Sequence, residues 1–418
     1  MGEDLRALTD ACVHCGFCLP SCPTYQLTGE EAHSPRGRIH LLRQLLDGGA
    51  TAEDIAGPID TCLGCLACVP ACPSGVQYEP IIEAARERVA AARPGRDRAV
   101  RAALMQVLPY RRRLRVAPVP LRVFPKLASL DPTLGAAGAL APERTAPVRA
   151  LPTRVRARGP RRAVVGLLTG CAQDVFFRHV SAATARVLAL EGCDVLVPRH
   201  QGCCGALSLH SGQPAQGRRL ARSLVATFTR ARVDYLVTDV AGCGSAMKGY
   251  ARLLADDPRW ARPAAELAAK VRDVTELIDE LGPVAPRGRV DRTVAYHDAC
   301  HLANGQGITA APRRLLDGIP GLTVREIADG GRCCGSAGTY NLFQPETAAE
   351  LGRLKAEAVV ASGAEMVAAG NPGCLLQIEA ALRGAGSPIP VVHTIEILDA
   401  SLRRDPDEAE ESPPRQRE

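Results

Sequence analysis

The sequence predicts an α/β protein in which an all-α N-terminal domain is followed by two tandem α/β domains. Two cysteine runs of identical spacing, joined by a helical stretch, lie before residue 73. From residue 161 onward, short apolar runs of strand length alternate with amphipathic stretches, a pattern typical of a parallel sheet covered on both faces. The cysteines of this second half recur at offsets of 129 to 131 residues, which indicates an internal duplication.

The composition is that of a globular protein with many thiols. Of the 418 residues, 46% are hydrophobic and 23% are charged, which excludes a disordered or collagen-like chain. The chain contains seventeen cysteines but only six Phe, seven Tyr and one Trp. This excess of cysteine over aromatic residues indicates that the thiols serve chemistry more than packing. The net charge of +6 comes from Arg spread along the whole chain with few aromatic residues, and we therefore expect no nucleic-acid partner.

The start of the chain bears on its compartment. The first twelve residues contain three acids and lack the apolar segment of a secretory signal, and no apolar run approaches the ~18 residues of a membrane-spanning helix. We therefore expect a cytoplasmic protein with no transmembrane helix, and peripheral attachment to the inner face of the cell membrane stays open. Cytoplasmic thiols are kept reduced, and dense cysteine there is typical of metal binding.

The N-terminal cysteines form two C-x2-C-x2-C-x3-C-P runs. The first run comprises Cys12, Cys15, Cys18 and Cys22, and the second Cys62, Cys65, Cys68 and Cys72. This is the spacing of two-cluster ferredoxins, in which the fourth cysteine of each run binds the other cluster. It predicts two [4Fe–4S] clusters, one bound by Cys12, Cys15, Cys18 and Cys72 and the other by Cys62, Cys65, Cys68 and Cys22. Zinc is the alternative, but it needs only four ligands per site and does not explain the repeated trailing proline.

The 50 residues that separate the two runs favour a helical ferredoxin domain over a strand-based one. Residues 34–49 read as a helix capped by Ser34, with Arg36 and Arg38 in its first turn and glycine at its end. Helical stretches at 81–92 and 98–107 complete a domain over residues 1–108. Nine prolines between 109 and 160 argue against long helices and central strands, so we interpret 109–160 as a Pro/Arg-rich linker.

The second half divides into two cysteine-rich repeats, over residues 161–285 and 290–400. Strands are predicted at 163–170, 193–198 and 234–240, and the pattern begins again at 292–300. The predicted cofactor-binding residues are Cys171, Cys203, Cys204 and Cys243 in the first repeat, and Cys300, Cys333, Cys334 and Cys374 in the second. Each follows a predicted strand, at the carboxyl edge where α/β sheets bind ligands. The charged segment 401–418 is expected to be a disordered tail.

Each repeat contains a vicinal Cys-Cys-Gly sequence, which fits either a further iron-sulfur cluster or a reactive dithiol. Cys193 has no counterpart in the second repeat, and we expect it to be a buried apolar residue. His297 and His301 are read as satisfied polar groups, with a ligand or proton donor as the alternative. No nucleotide-binding motif is convincing, so we expect no catalytic residue for substrate chemistry and a flavin carried by another polypeptide.

Taken together, the motifs resemble the iron-sulfur subunits of glycolate oxidases. The resemblance rests on SPRGR at 34–38, CPSGVQY at 72–78, GCCGALSLHSG at 202–212 and the two Cys-Cys-Gly repeats. It implies an electron-transfer subunit of an oxidoreductase acting on the CH–OH group of 2-hydroxy acids. In such complexes a partner FAD subunit oxidises glycolate to glyoxylate, and electrons pass through the iron-sulfur subunit toward a membrane quinone.

Related families provide the alternatives, which are iron-sulfur subunits of lactate or glycerol-3-phosphate dehydrogenases and thiol–disulfide oxidoreductases like heterodisulfide reductase. One departure from the broader family matters. Ala246 and Gln377 stand where its repeats often end in a further cysteine. A five-cysteine cluster is therefore doubtful, and four thiols per repeat remain. The basic residues 111–115, with the segment 121–127, are a candidate contact for anionic lipid or the partner subunit.

Overall fold

The N-terminal part of the chain is entirely helical where the structure describes it. The computed structural model describes residues 5–116, 150–329 and 331–403. Residues 5–116 contain no strand and form α1 (Leu5–Asp10), α2 (Pro23–Thr28), the 3-10 turn Glu31–His33, α3 (Pro35–Leu46), α4 (Ala56–Asp60), α5 (Tyr78–Ala92), α6 (Gly95–Val107) and α7 (Arg111–Val116). The predicted all-α N-terminal domain is confirmed.

Helix α3 shows how the segment between the cysteine runs folds. Ser34 caps it, because its Oγ accepts the amide N–H of Gly37 at 3.0 Å. Position 37 needs glycine, since a Cβ there would overlap the carbonyl oxygen of Glu31. Ile39 and Leu42 then face inward and pack with residues of α5. Cysteines of both runs join this core, so the ligand loops are anchored on the helices.

The first repeat is a five-stranded sheet flanked by helices. Its elements are β1 (Arg154–Val155), β2 (Ala163–Leu168), α8 (Ala172–Phe176), α9 (Arg178–Leu190), β3 (Cys193–Leu196), α10 (Ala206–His210), α11 (Pro214–Ala231), β4 (Tyr235–Thr238), α12 (Ala241–Lys248), α13 (Tyr250–Leu253), α14 (Ala261–Lys270), β5 (Val271–Asp273) and α15 (Val274–Leu281). The strand order is β1-β3-β2-β4-β5. All neighbours are parallel except β1, which pairs antiparallel with β3.

The second repeat contains the same sheet without the antiparallel edge. Its elements are β6 (Arg292–His297), α16 (Cys300–Gln306), α17 (Ala310–Asp317), β7 (Leu322–Glu326), α18 (Tyr340–Phe343), α19 (Pro345–Ala361), β8 (Met366–Ala369), α20 (Pro372–Gly384), β9 (Val391–His393) and α21 (Thr394–Leu402). The four strands are all parallel, in the order β7-β6-β8-β9. The predicted pair of tandem α/β units is confirmed, and β1, β5 and β9 are additions that the sequence pattern did not indicate.

The two repeats share a core. Val165 and Val195 of the first sheet belong to the same buried cluster as Val294 of the second. Polar bonds reinforce this junction, because Arg186 of α9 makes two hydrogen bonds to the Asp399 carboxylate of α21, at 2.9 and 2.7 Å. The duplicated units are therefore packed into one body.

The interval predicted as a linker contains two regular elements, the short helix α7 and the edge strand β1. Arg111 of α7 donates to the carbonyl of Arg199 at 2.8 Å, and Arg115 lies 3.3 Å from the carboxylate of Asp174. Both side chains thus contact the first repeat. The basic segment 121–127 and the predicted tail beyond residue 403 lie outside the described residues. In the part of the chain that is described, no helix is both long and apolar enough to span a membrane.

Candidate metal centres

The two N-terminal cysteine loops have matching backbone conformations. Positive φ angles occur at equivalent positions, at His14 (54°) and Gly16 (89°) in the first loop and at Gly64 (64°) and Leu66 (60°) in the second. Glycine adopts this region freely, whereas histidine and leucine adopt it at a cost. Each loop therefore holds one residue in a conformation that its side chain disfavours, which is typical of ligand-binding segments.

One cavity collects cysteines from both runs. Its lining includes four thiol residues, namely Cys22, Cys62, Cys65 and Cys68. Cys22 comes from the first run and the other three from the second, so this is the crosswise set expected for one cluster of a two-cluster ferredoxin. Arg38 and Tyr78 are among the polar residues that line the same cavity.

Arg38 brings a buried positive charge to this cavity. Its side chain is almost fully buried, and its Nη1 reaches the Sγ of Cys22 at 3.8 Å. The same guanidinium donates to the hydroxyls of Thr24 at 2.9 Å and Thr61 at 3.2 Å, which fixes its position. A buried, fully bonded arginine among thiols compensates negative charge that gathers there. The sequence located Arg38 on the first turn of α3 but did not indicate that it faces the cysteines.

The thiol pKa values at this cavity are consistent with a site that needs a bound cation. Burial and the neighbouring thiols of Cys65 and Cys62 raise the pKa of Cys68 well above its usual value. Burial would also raise the pKa of Cys62, but the guanidinium groups of Arg38 and Arg86 lower it. Four adjacent thiolates are therefore unfavourable without a metal, and the all-sulfur donor set fits iron-sulfur coordination.

The remaining N-terminal cysteines lie nearer the surface. Cys12, Cys18 and Cys72 are partly buried against the helical core, and Cys15 is exposed. Around Cys15 the loop presents two apolar side chains to solvent, because Val13 is 68% exposed and Phe17 is 66% exposed.

In the first repeat the four predicted thiols converge. The Sγ atoms of Cys171 and Cys203 are 3.6 Å apart, and those of Cys204 and Cys243 are 3.2 Å apart. The hydrogen bond from Cys171 to Cys203, together with burial, raises the pKa of Cys171 well above its usual value. Nearby, Tyr250 is fully buried and its Oη donates to the carbonyl of Cys204 at 2.6 Å.

In the second repeat the four predicted thiols also converge, with a histidine beside them. The hydrogen bond from Cys300 to Cys333, together with burial, raises the pKa of Cys300 in the same way. Cys334 and Cys374 lie with His297 so that their ligand atoms are all within 4.8 Å of one another. All three residues are buried.

The Cys-Cys-Gly turn needs its glycine in both repeats. Gly205 has φ of 89° and Gly335 has φ of 92°. A Cβ would lie 2.9 Å from the carbonyl oxygen of Gly217 in the first case and 2.6 Å from that of Ala348 in the second. The turn therefore packs directly on the backbone of the following long helix, and this holds the vicinal thiols at the carboxyl edge of the sheet.

Comparison with known proteins agrees with this architecture. Residues 9–76 match the 4Fe-4S dicluster domain, and residues 165–248 and 294–379 each match the cysteine-rich domain with the Cys-Cys-Gly signature. The probable glycolate oxidase iron-sulfur subunit of Bacillus subtilis is 35% identical over 93% of this chain and 92% of its own length. The glycolate oxidase iron-sulfur subunit of Escherichia coli is 34% identical, over 97% of this chain and 98% of its own length.

The chain belongs to the family of glycolate oxidase iron-sulfur subunits. The resemblance noted in the sequence is thereby confirmed, and the dicluster match favours iron-sulfur clusters over the zinc alternative. Lactate utilization protein A of Exiguobacterium is 34% identical over 57% of this chain and 98% of its own length. A crystal structure of a hypothetical protein from Helicobacter pylori has a TM-score of 0.60 at 9% identity, over 97% of this chain and 78% of that chain, and shows a shared fold.

In this iron-sulfur subunit the N-terminal domain meets the second repeat through cysteines. Cys65 packs beside the small cluster that contains Cys300 and Cys333, and their thiols are within electrostatic reach of Cys65. Asn304 of α16 strengthens the contact by donating to the carbonyl of Cys65 at 3.1 Å. Tyr340 lies in the same cluster, with the side chain of Thr347 beside its hydroxyl.

Several contacts of polar residues near the cysteines were not anticipated from the sequence. Arg86 of α5 donates to the carbonyl of Cys62, and Tyr340 follows the second Cys-Cys-Gly turn. His210 and His301 come from different repeats, yet their rings lie 5.2 Å apart. Spacing along the chain contains no signal for these contacts, because they depend on how the domains pack. Cys193, in contrast, is fully buried in the common core, as expected.

Proposed function

We propose that this chain is the electron-transfer subunit of a glycolate dehydrogenase complex. It would take electrons from a partner FAD subunit that oxidises glycolate to glyoxylate and pass them toward a membrane quinone. The names of the relatives from Bacillus subtilis and Escherichia coli support this reading. The single observation that carries the electron-transfer role is the cavity in which Cys22 joins three cysteines of the other run.

The proposed ligand sets are those expected from the spacing. One [4Fe–4S] cluster would be held by Cys12, Cys15, Cys18 and Cys72, and the other by Cys62, Cys65, Cys68 and Cys22. When bound, such clusters accept and release single electrons. Within the chain, the buried guanidinium of Arg38 offsets the negative charge of reduction at the second set. The contact of Cys65 with Cys300 and Cys333 brings that set next to the second repeat.

The first cysteine loop is the proposed docking point of the flavoprotein. Its exposed Cys15 is flanked by Val13 and Phe17, which place apolar surface in solvent. A partner that covers these two side chains would shorten the path to the first ligand set, and apolar residues of this kind dominate binding energy at interfaces. The second ligand set, in contrast, is enclosed by protein.

The Cys-Cys-Gly domains, proposed over 161–285 and 290–400, would each hold a further metal cofactor with four thiols. A thiol–disulfide reductase is the second candidate, since thiols are paired by hydrogen bonds in the first repeat and in the second. Burial and the hydrogen bond to the neighbouring thiol raise the pKa of Cys171 and of Cys300, which disfavours the thiolate that a reactive cysteine needs. Iron content separates these two candidates, at about eight per chain for free thiols and about twelve or more for further clusters.

The complex itself provides the decisive experiment. The chain is co-expressed with its flavoprotein partner under anaerobic conditions, and EPR spectra are recorded after addition of glycolate, lactate or glycerol 3-phosphate. We expect glycolate to reduce the clusters. Reduction by lactate or glycerol 3-phosphate alone would assign the chain to an alternative dehydrogenase, and a silent spectrum with stoichiometric zinc would overturn the electron-transfer role.

A surface variant tests the docking point in the same preparation. Replacing both Val13 and Phe17 by serine should weaken co-purification of the flavoprotein by at least tenfold in apparent affinity, because two exposed apolar contacts are removed. The matched control replaces the exposed Val284, which lies on the first repeat, by serine. Iron content must be unchanged in both variants, and equal weakening in both would refute the assignment of the surface.

A further inference from the structure

His297 is a buried imidazole placed among the thiols of the second repeat. It is the last residue of β6, at the carboxyl edge of the sheet, and is 2% exposed. Its ligand atom lies within 4.8 Å of the Sγ atoms of Cys334 and Cys374, which are themselves within that distance of each other. In the part of the chain that the structure describes, the Nε2 of His297 has no hydrogen-bond partner. A buried polar atom without a partner is unfavourable unless something binds it.

The first repeat has no counterpart of this imidazole. The last residue of β2 is Leu168, which is 1% exposed and packs beside Cys171 and Cys203. Duplication therefore preserved the thiols in both repeats, while only the second repeat has a nitrogen donor at this edge. The difference is one of ligand chemistry, because leucine cannot bind a metal and a neutral imidazole can.

The side chain at position 377 is not available to complete the ligand set, because its amide is already hydrogen-bonded. Gln377 lies one turn beyond Cys374 on α20. Its Nε2 donates to the carbonyl of Ala348 at 2.9 Å, and its Oε1 accepts from Asn341 at 3.4 Å. One end of the amide thus bonds to α19 and the other to α18, whereas the Nε2 of His297 is left without a partner among the described residues.

We propose that His297 is a nitrogen ligand of the metal cofactor of the second repeat, together with Cys334 and Cys374. This inference rests on the proposed function, since it assumes that the repeat holds an iron-sulfur cofactor. The first repeat would then bind its cofactor through thiols alone and the second through nitrogen and sulfur. Where histidine replaces cysteine at an iron-sulfur centre the reduction potential rises, so the second site accepts electrons more readily than the first.

The surroundings of His297 agree with this assignment. The ring of His297 is buried, and the ammonium of Lys355 lies within electrostatic reach of it. Lys355 is itself buried and forms an ion pair with Asp329, which keeps its charge in place.

The test uses the full chain, purified anaerobically after growth with 15N-histidine. Iron is counted, nitrogen couplings are measured by pulsed EPR, and redox titrations are recorded for His297→Ala, His297→Cys and Cys374→Ser. His210→Ala is the matched control, because the Nε2 of His210 is also buried and unpartnered among the described residues, but His210 lies outside the group of three ligand atoms. EPR signals of the N-terminal clusters report that each variant is folded.

We expect His297→Ala to lose the same iron as Cys374→Ser, whereas His210→Ala keeps it. His297→Cys should keep the iron, lose the histidine coupling and shift the titration of this site to a lower potential. The inference is overturned if Cys374→Ser loses iron while both His297 variants keep the iron and the potential of the wild type. It is overturned equally if no variant loses iron. In both outcomes the EPR signals of the N-terminal clusters distinguish this inference from the proposed function. If glycolate still reduces these clusters, the proposed function stands. If it does not, the proposed function is refuted instead.

Discussion

The two Cys-Cys-Gly repeats share one backbone arrangement, but different side chains surround their thiols. Both place four thiols at the carboxyl edge of a parallel sheet with the same strand order, and both turn at a glycine with positive φ. Around the first set the protein places Leu168 and the donor Tyr250. Around the second it places His297, and the N-terminal Cys65 approaches from outside. Duplication thus conserves what positions the thiols, and the side chains packed against them set the chemistry of each site.

The largest expected effect concerns the link between the N-terminal domain and the second repeat. Cys22→Ser removes one of the four thiols of the shared cavity, and we expect about four iron atoms per chain to be lost. Reduction of the second repeat by the flavoprotein should fail, while the iron bound by the first repeat stays. Iron analysis and EPR of the anaerobic complex measure both. Full iron content in Cys22→Ser would show that this cysteine is not a ligand.

Replacing the glycine of each Cys-Cys-Gly turn should give the next largest effect, a loss of folding stability. Gly335→Ala should destabilise the fold by about 2 to 4 kcal/mol, because alanine is strained at positive φ and its Cβ would meet the Ala348 carbonyl. Gly205→Ala should cost less, since the corresponding gap is wider, at 2.9 Å instead of 2.6 Å. Urea unfolding followed by circular dichroism gives the two values. The reverse order would mean that the second turn relaxes more readily than the first.

The residues that cap the last helix of each repeat should give stability a different dependence on pH. Asp273 caps α15 in the first repeat, and His393 occupies the same place before α21 in the second. Burial lowers the pKa of His393 to about 4, and its Nδ1 accepts the amide of Ile395, an acceptor role that protonation abolishes. The unfolded chain binds a proton near pH 6.5 and the folded chain does not, so stability falls as pH drops below 6.5.

We expect His393 to account for roughly 2 kcal/mol of stability lost between pH 6.5 and 5. His393→Asn keeps a capping side chain but does not titrate, and it should flatten this part of the stability curve. The measurement is the unfolding midpoint in urea at both pH values. Asp273 gives a contrast of opposite sign, because burial raises its pKa to about 6 and stability from this carboxyl is lost as pH rises toward 6. An unchanged slope in His393→Asn would show that other groups dominate.

The smallest effect compares two buried tyrosines. Tyr250→Phe should cost about 1 to 2 kcal/mol, because the buried carbonyl of Cys204 loses its 2.6 Å hydrogen bond. Tyr340→Phe is the matched control in the second repeat, where the hydroxyl donates to no carbonyl among the described residues, and we expect a smaller loss. Thermal unfolding midpoints of the two variants provide the test. A larger loss in Tyr340→Phe would reveal a bond that forms only when the second site is loaded.

Much of this fold was accessible from local pattern. The run of apolar residues at β2 and the spacing of the cysteines predicted a parallel sheet with thiols at its edge, and the Ser34 cap predicted the start of α3. The short strands β5 and β9 were missed because three residues contain no periodicity. Strand β1 was missed because it forms only by pairing with β3 at the sheet edge.

The sequence by itself determined the donor atoms and the local turns that present them, because cysteine spacing and glycine conformation act over a few residues. Only the tertiary structure decided that Arg38 lines the cavity of the second ligand set, and that Cys65 packs near Cys300. It also decided that His297 is left without a hydrogen-bond partner among the described residues. These outcomes depend on contacts between residues far apart in the chain, where burial and packing of whole domains set the geometry, and no local pattern encodes them.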